Sequence, residues 1–224
     1  MKRHLLLLAY DTFRSSCLLA LLLMPLSEVH SAEPVLRDDK LRSYVERFNA
    51  DDRESFTEAF PNAKALEFLS ANIPLLDCPD KEIEQTYYFR WWTFRKHLKQ
   101  TPEGWVITEF LPVVPWAGKE NTINCANGHH IREARWLKDR RYVEDYIRFW
   151  FRKDSRNIYS SWLPEAVWSY CTAIGDYSLA KELLPDLIKH YKGWETGRLD
   201  KSTGMFWQND GGDGMEGSIR SEEH

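Results

Sequence analysis

The chain has 224 residues, room for one domain or one domain plus a tail, with a formal net charge of −4 and a pI of about 6.0. That balance offers neither nucleic acid nor an anionic membrane surface a basic footprint. Aromatic residues make up 14% of the chain, and all ten Trp fall between Trp91 and Trp207. Rings at that density either fill a helical core or offer stacking faces to the C–H groups of a pyranose.

Residues 1–32 read as an export signal. Lys2, Arg3, His4 and Arg14 form a basic start, Cys17 to Leu26 a short apolar run, and Ser27 to Ala32 a polar stretch. Cleavage after Ser31 puts Val29 three residues before the cut. The run is shorter than the roughly 20 apolar residues of a spanning helix. Leu5 to Tyr10 is also apolar but is broken off by Asp11 and Arg14, which leaves an uncleaved anchor as the alternative. The mature chain is expected to have no membrane partner. Cys17 leaves with the signal, and Cys78, Cys125 and Cys171 remain. An odd count permits at most one disulfide. None has zinc-ligand spacing, so they read as small buried hydrophobes.

Residues 33–80 form a lead-in. Leu41, Tyr44, Val45 and Phe48 have helical spacing, and Ala65, Leu66 and Leu69 belong to a second piece that closes before Pro74. From Lys81 to Gln100 the apolar positions Ile83, Tyr87, Trp91, Phe94 and Leu98 predict one long helix with a single buried face. Thr101 to Asn127 carries Pro102, Gly104, Pro112, Pro115 and Gly118. It reads as a long ordered loop with one short strand over Val106 to Phe110, and loops of that length in compact domains tend to be functional. Helical patterning resumes at Ile131 to Leu137, at Tyr142 to Phe151, and at Trp162, Ala166, Tyr170 and Ile174. Gly175 closes the last of these, and Asp176 starts a helix through Leu179, Leu183, Leu187, Tyr191 and Trp194 that Gly193 and Gly197 end. No strand run rivals these helices, so the predicted class is all-α.

Chemistry-bearing residues concentrate at the end of this pattern. Gly204 to Ser218 sets Asp210, Asp213 and Glu216 among five glycines, beside Trp207. Glycine lets backbone come close to a ligand. A carboxylic acid walled by aromatic rings is held protonated and can donate at neutral pH. The same three acids, three residues apart, suit Ca²⁺ as an alternative, although the EF-hand pattern is not matched. No other cofactor is indicated. Arg90 brings a hydrogen-bonding fork and Trp92 a stacking face, whereas Trp91 lies on the apolar stripe. His129, His130 and Glu133 could share a helix face and bind a metal, but no third ligand is evident, and a hydrogen-bonding role or a helix start fits better. Ser161 either caps the next helix or, with Ser160, faces the pocket beside Trp162. Glu109 and Glu120 add carboxylates to the Pro-rich loop without an assigned role.

From about Tyr87 to Ser218 the chain resembles the (α/α)6-toroid glycoside hydrolases, nearest the mannosylglycerate-hydrolase-like and processing α-glucosidase-like enzymes. Tyr88-Phe89-Arg90-Trp91-Trp92, Pro115-Trp116-Ala117-Gly118, Gly128 to Glu133, the Trp168 to Asp176 hairpin and Asp213 to Ser218 carry the resemblance. In those enzymes a Gly-x-Asp-x-Ser loop supplies the general acid. Gly214-Met215-Glu216-Gly217-Ser218 has that spacing with Glu for Asp, so the resemblance implies Glu216 as the acid, with Asp213 as the neighbouring rival. It further implies a carbohydrate substrate, contacts from Arg90, Trp92, Trp116, His129, His130, Glu133, Trp162, Trp207 and Asp210, and an inverting mechanism. Residues 81–218 would be the first half of a toroid built from helical hairpins, with the catalytic base outside it, and 219–224 a polar tail. A truncated half-barrel is expected to expose apolar helix faces and to hydrolyse little. The rival reading is a non-catalytic carbohydrate-binding or helical-repeat interaction protein.

Overall fold

The computed structural model describes residue 36 and residues 38–152, 159–209 and 211–213. The expected signal peptide, Asp210, Glu216 and the polar tail lie outside these residues. Among the described residues the protein is all-α, with two small two-stranded sheets.

The lead-in folds as two helices. α1 (Asp39–Asp51) buries Leu41, Val45 and Phe48, one stripe at helical spacing. α2 (Asn62–Asn72) buries Ala65, Phe68 and Leu69. α3 (Lys81–Phe94) begins at Asp80, whose carboxylate accepts from the N–H groups of Glu82 and Ile83 at 3.0 and 3.3 Å. Its buried side carries Glu84, Tyr88, Trp91, Trp92 and Phe94, while Ile83 is exposed. The expected stripe through Ile83 and Tyr87 is therefore rotated by about one residue. A helix with rings on several sides offers more than one apolar stripe, and packing against α1 selects among them.

Beneath that contact Glu84 is buried. Its carboxylate accepts from the N–H of Cys78 (2.8 Å), the Tyr44 hydroxyl (3.0 Å) and Lys81 (3.2 Å). The Cys78 N–H leads these bonds in pulling its pKa down to about 2, against the opposing effect of burial.

The helix expected to run to Gln100 stops at Phe94. A 3₁₀ turn, Arg95–His97, leads into β1 (Leu98–Thr101), which pairs antiparallel with β2 (Gly104–Ile107), Leu98 facing Ile107 and Thr101 facing Gly104. The hairpin rests on Asp145: Trp105 N–H donates to its carboxylate at 3.1 Å, and a Cβ on Gly104, at φ 112°, would collide with the same side chain. From there the Pro-rich segment is ordered around Asn121, whose amide donates to the carbonyls of Phe110 (2.6 Å) and Pro112 (2.9 Å) and accepts from Val114 N–H (3.1 Å).

α4 (Asn127–Ala134), α5 (Arg141–Arg152) and α6 (Leu163–Ile174) follow, burying Ile131, Tyr146, Ile147, Phe149, Val167 and Tyr170 in a common core. Gly175 ends α6 at φ 67°; its N–H bonds Thr172 O at 3.3 Å and Asp176 N–H bonds Cys171 O at 3.2 Å, a Schellman closure. The next helix comes in two pieces, α7 (Ser178–Glu182) and α8 (Leu184–Arg198), because Pro185 restarts it. Gly193 and Gly197, expected to end it, lie inside α8. Leu184, Ile188 and Tyr191 of α8 are exposed. A short hairpin, β3 (Leu199–Asp200) with β4 (Met205–Phe206), and a 3₁₀ turn, Gly211–Asp213, complete the described chain. Cys171 is buried, Cys78 and Cys125 are half-buried, and all three are free thiols. Among the described residues no helix is long and apolar enough to cross a membrane.

Candidate active site

α4 is the element on which the candidate site is built, because its first turns present polar side chains in two directions. On one side His129 meets Trp162 edge to face, ring centroids 4.8 Å apart. Gly128 lets the two segments approach, since a Cβ there would sit 3.3 Å from the Trp162 Cβ. On the other side Glu133 accepts from Arg90 of α3, the Nη2 nitrogen lying 2.9 Å from both carboxylate oxygens. His130, one turn earlier on that side, stands with Nε2 3.2 Å from Glu109 and Nδ1 3.0 Å from the Tyr146 hydroxyl. His97 Nδ1 bonds Thr108 O at 2.9 Å. Arg90, Thr93, His97, Ile107, His130 and Glu133 line a cavity of about 170 Å³.

The electrostatics of this cleft follow from its packing. The hydrogen bond from His130 holds the Glu109 carboxyl below its ordinary value. Burial pushes His97 down, which favours neutral imidazole, and pushes the fully enclosed Tyr146 phenol up, so it stays protonated. A guanidinium, imidazoles and carboxylates at one wall match the donor and acceptor needs of sugar hydroxyls. Among the described residues no group of three or more His, Cys, Asp or Glu is placed to hold a metal ion.

The described part of the terminal acidic loop is tied to the segment that precedes α6. Gly212 is buried; its carbonyl accepts from Ser160 N–H at 2.8 Å, and its own N–H donates to Asn209 Oδ1 at 2.7 Å. Asp213 N–H bonds Asn209 O at 3.1 Å. Asp213 is exposed rather than walled by rings. Ser160 stands two residues before Trp162, so the loop that carries Asp213 is fastened to the segment that carries the Trp162–His129 pair. Ser160 and Ser161 also line a concavity of about 380 Å³ with His190, Tyr191 and Trp194. Ser161 does not cap α6, which opens after Trp162 with Pro164 in its first turn.

The expected residues thus divide. Arg90, His130 and Glu133 meet in one cleft, His129 and Trp162 meet beside it, and the Asp213 turn docks next to them. Trp92 departs from the expectation of an open stacking face. It is only 4% exposed, its indole N–H donates to Asn49 at 2.8 Å, and Lys96 lies 4.3 Å over its ring. Trp116 is exposed on the Pro-rich loop, with its edge toward Phe110. Trp207 is exposed too, under the Arg198 guanidinium at 4.6 Å. Asp210 and Glu216 fall outside the described residues, and so does the Ca²⁺ alternative that needs both with Asp213. Glu109 and His97 join the cleft without a sequence signal that placed them there, because Glu109 arrives through the Asn121-held loop. Glu120 pairs instead with Lys99 at 3.1 Å.

Residues 119–224 match the mannosylglycerate hydrolase MGH1-like glycoside hydrolase domain. A solved structure titled sialidase is similar over 82% of this chain, at 40% identity and a TM-score of 0.78. The chain spans 18% of that protein's length. No curated protein matches the chain. The matched segment, residues 119–224, includes α4, Trp162 and the acidic loop, and is similar to the mannosylglycerate hydrolase MGH1-like glycoside hydrolase domain.

Proposed function

We propose that this chain forms the acid-bearing part of an exported, inverting glycoside hydrolase. The observation that supports the reading is the Ser160–Gly212 hydrogen bond, which ties Gly212 of the acidic loop to a residue two positions before Trp162, the partner of His129, inside the matched segment. In this reading Glu216, with Asp213 as the rival, protonates the glycosidic oxygen as its bond to the anomeric carbon breaks. A second carboxylate, roughly 6.5–9.5 Å away, takes a proton from the water that attacks the opposite face. Arg90, Glu133 and His130 bind hydroxyls of the sugar, and Trp162 gives its ring a stacking face. The base comes from sequence outside these 224 residues. Support for that is the chain's 18% share of the sialidase-titled protein and the exposed apolar side of α8. The basic start and short apolar run of residues 1–32 support export.

The test is stereochemical. Proton NMR of the first sugar released by the protein purified from its source should show inverted anomeric configuration. Asp213→Asn or Glu216→Gln should lower kcat by at least about 10²-fold. A first product of retained configuration, or full turnover in both variants, overturns the proposal.

A further inference from the structure

A second cleft lies between α1 and α3, on different residues from the cleft around α4. Arg47, Phe48, Asp51, Asp52, Gln85, Phe89 and Trp92 line it, around a cavity of about 400 Å³. That volume is within the range of roughly 300–1,000 Å³ typical of small-molecule sites. Phe89 is 46% exposed. Its ring is fixed rather than free: it stacks on Trp92 at 5.7 Å and 19°, and Phe48 meets it edge-on at 5.3 Å. Trp92 is itself locked by Asn49 and by the cations of Lys96 and Arg95 over its ring. An exposed aromatic ring held by packing is a preorganised platform.

The polar groups around it are unspent. Arg47 and Asp51 are one turn apart on α1, the spacing at which opposite charges pair. Yet among the described residues they form no ion pair, and Arg47 instead lies over Tyr44 and Phe48, at 5.1 and 5.5 Å. Gln85, one turn before Phe89, likewise has no hydrogen-bond partner among the described residues. Among the lining residues the charges balance: Asp52 is neutralised by Lys96 at 2.6 Å, and Arg47 offsets Asp51, while the Arg95 guanidinium over Trp92 is buried and bonded to Phe60 and Asn62. A phosphate or a metal ion would need an excess of one sign. A rigid ring flanked by a guanidinium, a carboxylate and an amide, with no net charge, suits a neutral ligand that has one C–H face and a rim of hydroxyls.

We propose that the α1–α3 cleft is an ancillary binding site for a neutral pyranose, with Phe89 as the stacking platform and Arg47, Asp51 and Gln85 as hydroxyl partners. The site needs neither the acidic loop nor turnover, so it stands or falls apart from the catalytic reading.

The experiment titrates the full chain with methyl α-glucopyranoside, methyl α-galactopyranoside and methyl α-mannopyranoside, and follows the indole N–H resonance of Trp92 by NMR, assigned with Trp92→Phe. At least one sugar should shift it saturably in the millimolar range. Phe89→Ala should weaken that binding at least tenfold, and Gln85→Ala severalfold. Both sites are on the surface, so equal melting temperatures will show that the fold is intact. Asp213→Asn with Glu216→Gln should leave the titration unchanged. The proposal is overturned if no sugar moves the Trp92 resonance, if Phe89→Ala binds as the parent does, or if sedimentation shows a second copy of the chain covering the cleft.

Discussion

The carbonyl of Gly212 accepts the backbone N–H of Ser160 at 2.8 Å, a bond between positions 52 residues apart that ties the acidic loop to the start of α6. Its partner within the loop is Asn209, whose side-chain oxygen holds the Gly212 N–H. Asn209→Ala removes that acceptor at a cost of about 1 kcal/mol. The loop would then lose its shape before the helices lose stability. The expected result is a fall in kcat of tenfold or more with a small change in melting temperature, measured side by side.

The carboxylate of Glu84 predicts an acid-sensitive core. Its folded pKa, about 2, lies below the ordinary value of 4.5. A depressed folded value stabilises the protein fully above the unfolded pKa, and that contribution is lost as pH falls from about 4.5 toward about 2. Glu84→Gln replaces a charged acceptor with an amide among the same donors and should destabilise by about 1–3 kcal/mol. Its unfolding midpoint should vary less than the parent's across that pH window, as denaturant titrations at several pH values will show.

The Glu109–His130 contact makes a prediction within the site. His130→Ala removes the first cause of the lowered Glu109 pKa, which should then rise toward the ordinary carboxylate value. Carbon-13 NMR of the Glu109 side chain measures this directly. Because the folded value is the depressed one, the contribution of Glu109 to stability is present above its unfolded pKa and lost as pH drops through the folded one.

Gly175 isolates a backbone effect. Its φ of 67° lies in the left-handed region, and a Cβ there would meet nothing within 4 Å. Gly175→Ala should therefore cost about 1 kcal/mol from conformation alone, read as a shift in the denaturation midpoint without a change in slope.

Much of this architecture is written locally in the sequence. The stripe Leu41, Val45, Phe48 and the Gly175-Asp176 closure need only helical spacing and a residue able to take positive φ. The buried side of α3 was not legible, because Tyr87, Tyr88, Phe89, Trp91 and Trp92 ring the helix, and Glu84 is buried against donors from outside the helix, the Cys78 N–H and the Tyr44 hydroxyl. Nor was β1: Leu98 continues the spacing of α3, and it becomes a strand because it pairs with Ile107 nine residues later. The site divides the same way. His129, His130 and Glu133 are close in sequence and share α4, whereas Glu109 joins His130 from 21 positions earlier in the chain. Trp92 misleads because residue type suggests a stacking face, and only the packing of Asn49 and Lys96 around it decides otherwise.

The central claim is that the acidic loop carries the proton donor of a glycosidase. The most direct measurement compares hydrolysis of an alkyl glycoside and a 4-nitrophenyl glycoside of one sugar by the source-purified protein, with and without Glu216→Gln and Asp213→Asn. An alkoxide leaves poorly without a proton and a nitrophenolate leaves well. The account predicts that one of the two variants loses at least about 10²-fold on the alkyl substrate and far less on the nitrophenyl one. Equal losses on both substrates in both variants, or none, would contradict it.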